Sequence, residues 1–164
     1  MAKMHFMLPS GSTPTVHPVR LGAGAGAANN LNTRDQGKLI KLVGESRYDL
    51  CAAGDAIEGY IYGIEPATSQ GFTVGGRVNE GMIFATADGL QASPGSGGNL
   101  AVGDYVVAGT PVAKGTEFGS AGVVSYPKVC KATSQTPGAH GWRVVSLTQV
   151  GTGAVGTTVV IERV

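Results

Sequence analysis

From Gln36 onward the apolar residues come in short runs separated by Gly, Pro, Asn and Asp. Lys38-Leu39-Ile40-Lys41-Leu42-Val43 predicts a first strand, and Ser46 to Leu50 a turn or a single helical turn. Ile57 to Ile64 predicts a strand in which Ile57, Gly59, Ile61 and Gly63 face one way and Glu58, Tyr60, Tyr62 and Ile64 the other, because strand side chains alternate. Phe72 to Val78 and Gly81 to Thr86 predict a hairpin joined near Asn79-Glu80-Gly81. Further strands are expected at Tyr105 to Ala108, Gly122 to Tyr126, Lys128 to Ala132, Trp142 to Leu147 and Thr157 to Val164. Helical spacing is missing from Gln36 on. Short strands with turn signals at steady intervals predict an all-β body, a single β-sandwich or jelly roll or a small, tulip-like β-barrel.

Two of these strands open on a Gly-Asp pair, Gly54-Asp55 and Gly103-Asp104. Gly supplies the backbone freedom of a tight turn, and Asp bonds a nearby backbone N–H. Both pairs are therefore assigned to turn geometry. The echo between residues 53–64 and 102–109 suggests a pseudo-repeat but is too short to establish one.

Residues 1–35 have a different texture and predict an extended N-terminal arm ahead of a body at 36–164. They hold Pro9, Pro14 and Pro18, a Gly/Ala-rich stretch from Gly22 to Ala28, and sparse apolar residues without period. The expectation is that Met4, Phe6, Leu8, Val16, Val19 and Leu21 anchor this arm on a neighbouring subunit. Deleting residues 1–30 is then expected to leave the body folded.

Charge narrows the partners. Only 14% of the 164 residues are charged and the formal net charge is +1, with no basic block to track phosphates, so nucleic acid is not an expected partner. No apolar run approaches the roughly 18 residues that span a bilayer, so no membrane partner is expected either. The opening run from Met1 to Leu8 is too short for a signal-peptide core. Cys51 and Cys130 are then expected to be reduced, buried thiols.

Candidate chemistry is sparse. His5, His17 and His140 lack metal-ligand spacing, so no metal and no cofactor are expected. Gly22-x-Gly24-x-Gly26 is rejected as a dinucleotide loop, since no strand precedes it and the third Gly is misplaced. Asp49, Asp55, Glu58 and Glu65 cluster in sequence, but turns and solvated strand faces account for them. No nucleophile elbow appears, so the chain is not expected to be an enzyme. Tyr60, Tyr62 and Trp142 have the chemistry of a sugar-stacking face or of a core.

Taken in order, the motifs resemble a known family. They are Ala53-Gly54-Asp55-Ala56-Ile57-Glu58-Gly59 to Gly63-Ile64, then Gly71-Phe72-Thr73-Val74, Gly81-Met82-Ile83-Phe84, Val102-Gly103-Asp104-Tyr105-Val106 and Trp142 to Leu147. Residues 37–164 carry the resemblance, which is to the capsid cement or decoration proteins of tailed bacteriophages. It implies an external virion protein, made in the host cytoplasm, that binds the major capsid protein and bridges its subunits, as a homotrimer. The long leader departs from the family pattern. The alternative expectation is a carbohydrate-binding β domain or tail-associated adhesin module.

Overall fold

The structure, a computed structural model, describes residues 6–7, 14–26, 29–69, 71–89, 98–118, 125–148 and 153–164. It is all-β, as the pattern predicts. The strands are β1 (Phe6–Met7), β2 (His17–Leu21), β3 (Ile40–Gly44), β4 (Arg47–Leu50), β5 (Tyr60–Ser69), β6 (Phe72–Val78), β7 (Met82–Ala87), β8 (Val106–Ala108), β9 (Lys128–Lys131), β10 (Trp142–Leu147) and β11 (Thr158–Arg163). Among the described residues a single 3-10 turn is present, at Thr33–Asp35. Of the run at residues 46–50, Ser46 belongs to a turn and Arg47–Leu50 is a strand paired with β3 rather than a turn or helical turn. Residues 57–59 precede the strand, and Gly59 takes φ 145° as the chain enters β5. Of the strand expected at 122–126, residues 122–124 lie outside the described residues.

Two sheets form, in the orders β3-β4-β2-β6-β5 and β10-β11-β7-β9-β8. Each curls until its end strands meet. Leu39 bridges Tyr60 in the first and Tyr105 bridges Arg143 in the second. The expected hairpin between Phe72 and Thr86 is therefore replaced. β6 pairs with β2 and β5, whereas β7 pairs with β11, β9 and β1, so the turn at residues 79–81 carries the chain from one sheet to the other.

The two sheets are copies of one design. In each, the first and third strands pair in parallel, Arg20 with Arg47 and Thr86 with Lys128. In each, the fourth and fifth strands pair across a bulge at the same place, between Ile61 and Gly63 and between Val144 and Ser146. The seams match bond for bond. Gly37 donates to the Ile61 carbonyl (2.8 Å) and Ile61 to that of Lys38 (3.0 Å), while Gly103 donates to Val144 (2.7 Å) and Val144 to Asp104 (2.8 Å). Matched residue numbers differ by 66 at Arg20 and Thr86 and by 81 at Arg47 and Lys128, so the second copy carries 15 more residues between its second and third strands.

The largest core lies where the copies meet. It joins Leu39, Cys51, Ile57, Tyr60 and Val78 of the first to Ile83, Val106, Val129, Trp142 and Ile161 of the second. Trp142 and Tyr60 are fully buried and meet edge to face at 6.4 Å, a contact that adds about 0.5–1.5 kcal/mol to the area they bury. A second cluster, Leu21, Leu31, Ile40 and Ile61, belongs to the first copy alone. The additional residues of the second copy reach back to the first. Asp35 and Lys38, both buried, pair at 2.7 Å; Lys38 Nζ also donates to the Ala113 carbonyl (2.7 Å), and Gly115 N–H donates to Asp35 (2.7 Å).

Candidate functional site

The leader is largely part of the body. β2 sits between β4 and β6 in the first sheet, so the arm boundary expected at residue 35 is corrected: residues 17–21 are an inner strand. Leu21 is fully buried in the first copy's own core and Val19 packs against that core, so neither is available to anchor on a neighbour. Val16 is exposed (41%). Phe6 pairs through its backbone with Ile83 in β7, and Met4 and Leu8 lie outside the described residues. The root of the leader is held by Thr15, whose N–H donates to the Glu80 carboxylate. That bond stabilises the ionised form and lowers the Glu80 pKa, with the nearby His17 acting in the same direction. From the sequence, Glu80 appeared only as a turn residue.

The Gly-Asp pairs build turns of one kind. Asp55 N–H donates to the Ala52 carbonyl (3.2 Å), and the Asp55 carboxylate accepts from Ala52 N–H (2.6 Å). Asp104 and Ala101 repeat this at 3.1 and 2.8 Å. Gly54 and Gly103 take φ 85° and 94° between them, which an L side chain rarely adopts. Each turn then grips one strand residue through two backbone bonds, Gly54 and Asp55 on Ala108, and Gly103 and Asp104 on Val144. The carboxylates also pair with lysines, Asp55 with Lys41 (2.6 Å) and Asp104 with Lys131 (3.0 Å). The Asp55 bond raises the Lys41 pKa. A third turn, Ala154-Val155-Gly156-Thr157, grips Ala87 through the same two backbone bonds, but its Thr157 hydroxyl donates to the Ala154 carbonyl (2.6 Å) where the Asp carboxylates accept from an Ala N–H. The spacing Ala-x-Gly-Asp/Thr was the signal for it.

The remaining candidates resolve into structural roles. Asp49 accepts from Leu50 N–H and Glu58 from Leu42 N–H. Cys51 and Cys130 are free and buried, and burial pushes their thiols up to about 12 and about 11. Among the described residues no group of three or more His, Cys, Asp or Glu side chains is placed to hold a metal ion. Among the described residues no helix is long and apolar enough to cross a membrane. Trp142 and Tyr60 are in the core, which leaves Tyr62 (43% exposed) as the one member of the expected aromatic set on the surface.

What the outside of the first copy offers is an unoccupied strand edge. In the second copy, β7 carries β11 along one edge; its other edge holds β9 at Thr86 and Ala87 and β1 at Met82 and Ile83. In the first copy, β2 carries β6 along one edge, and its other edge holds β4 at Arg20 and Leu21 only. The place matching the seat of β1 is therefore open among the described residues. A groove of about 450 Å³ lies there, lined by Pro18, Val19, Arg20, Glu45, Ser46 and Val74. The 66-residue offset that locates it is one of backbone register, which the side chains of the sequence do not repeat.

No family model, no curated protein and no solved structure matches this chain.

Proposed function

We propose that this chain is an external cement protein of a tailed-phage head, binding the major capsid protein on the outer surface of the virion and bridging its subunits. The observation that carries the reading is the arrangement of the motifs behind the resemblance. Gly54-Asp55 and Gly103-Asp104 fold into turns of one geometry and grip Ala108 in β8 and Val144 in β10. The strands they lead into frame a doubled β body. These motif residues serve the scaffold, which leaves contact to the outer surface.

The physics of the surface suits the role. Curling joins the end strands of each sheet, so few edges are left for unwanted pairing when many copies crowd on one lattice. Apolar side chains nevertheless stay in solvent, among them Val16, Leu42, Tyr62, Val102 and Val155. A lasting contact buries roughly 1,200–2,000 Å², and repetition over a shell multiplies it through effective concentration. Assembly of this chain as a homotrimer would place three such surfaces around one axis.

Heads assembled with and without the protein test this reading. Heads carrying it are expected to retain their DNA at temperatures that empty bare heads. Equal heat resistance, together with no protein on the particles, would overturn it.

A further inference from the structure

We propose that the open edge of the first copy, residues 16–18 beside the turn at Glu45 and Ser46, takes an extended segment of another protein as an added antiparallel strand. The precedent is within the molecule. β1 lies antiparallel on β7 with Phe6 opposite Ile83 and Met7 opposite Met82. The residues that correspond to Met82 and Ile83, 66 positions earlier as Arg20 is to Thr86, are Val16, just ahead of β2, and His17, its first residue.

The backbone there is suitably directed. Arg20 and Gly22 donate to the carbonyls of Ser46 and Tyr48 across this edge. Alternate residues of a strand face the same edge, so Val16 and Pro18 face it too. Val16 offers a donor and an acceptor; Pro18 offers only its carbonyl. That supports a short strand, as β1 is short, and Pro18 blunts indiscriminate edge pairing. Val16 and Tyr62 supply exposed apolar surface, both lying against Gly76.

Stoichiometry argues for a foreign segment. Among the described residues the chain has two such seats and one β1, which already occupies the seat on β7. A second copy could lend its β1 only by vacating its own. Resting on the function proposed above, the segment belongs to the major capsid protein, extended and apolar like Phe6–Met7, so the edge is a strand-addition site for that partner.

The test uses the full chain, with overlapping 13-residue peptides spanning the major capsid protein as probes and a peptide of its own residues 1–13 as the second-copy control. In a titration followed by backbone amide NMR, one capsid peptide is expected to shift Val16, His17 and Ser46 while Met82 and Ile83 stay put; shifts at these residues from the 1–13 peptide alone would assign the seat to a second copy and overturn the proposal. Val16→Pro, which removes the edge donor, should weaken the peptide about tenfold, the effect of one lost hydrogen bond. Glu45→Trp, which fills the groove from a solvent-exposed position, should do the same if Val16→Pro disturbs the fold. No shift at residues 16–17 and 46 at millimolar peptide, or shifts confined to Met82 and Ile83, would overturn the proposal. Because the titration contains no assembled capsid, its failure leaves the cement reading standing, and failure of head binding leaves the strand site standing.

Discussion

Gly37 and Gly103 occupy the same place in two copies of one five-stranded design. Each has a left-handed backbone, φ 83° and 94°, and each donates its N–H to the strand that closes its sheet, at Ile61 and Val144. The seam of each sheet begins at this glycine, so its conformation sets the closure.

Gly103→Ala tests that role cleanly, because nothing lies within 4 Å of the added methyl. The cost is then backbone conformation alone, about 1–2 kcal/mol. Gly59→Ala should cost more, since φ 145° is combined with the Val78 carbonyl at 2.6 Å from the new Cβ. Urea midpoints of the two variants give the order; equal midpoints would contradict it.

The Asp35–Lys38 pair fastens the second copy's additional loop to the first copy. Asp35→Ala leaves the Lys38 ammonium buried without its carboxylate, a loss of about 3–5 kcal/mol. Lys38→Met should cost less, because Asp35 keeps the N–H groups of Asn32 and Gly115. Denaturation of both variants checks the ranking.

The thiols predict an alkaline limit. Cys51 is shifted from 9.0 to about 12 and Cys130 from 9.0 to about 11, both by burial of the neutral form. A raised pKa of this kind contributes stability in full below pH 9, and the contribution is lost as pH climbs toward the folded values. Stability should therefore fall between about pH 9 and 12 in the wild type, and less steeply in Cys51→Ala measured against its own neutral-pH value. At pH 8 neither thiol should react with Ellman's reagent until denaturant is added.

Truncation separates the two parts of the leader. A chain beginning at residue 14 keeps β2 and should fold with only the β1 seat emptied. A chain beginning at residue 31 loses the strand between β4 and β6, together with Leu21 from the first copy's core. It should lose the first sheet, and amide dispersion by NMR would show it. A well-folded chain from residue 31 would restore the boundary expected from sequence.

The sequence pattern located most strands because their apolar residues alternate and their turns carry Gly, Asn or Asp. It was weakest where a polar strand is paired on both edges, as at Arg47–Leu50, and where a proline sits inside the ladder, as Pro18 does in β2 opposite Gly76. The duplication was hidden for a physical reason. Hydrogen-bonded register repeats, but the side chains at matched places rarely do: Leu39 answers to Tyr105, Tyr60 to Arg143 and Arg77 to Ile161. The echo of Gly54-Asp55 in Gly103-Asp104 pointed to a repeat but in the wrong alignment, since the structural counterpart of Gly103 is Gly37. The open strand edge follows from that alignment and from nothing local in residues 16–18.

The central claim is attachment to a capsid, and cosedimentation tests it most directly. If the chain is the cement protein proposed above, purified chain titrated onto heads assembled from the major capsid protein encoded alongside it should pellet with them and saturate at a fixed ratio to that protein, with chain in excess left in the supernatant. A chain that stays in the supernatant at every ratio, while the heads pellet intact, would contradict the account.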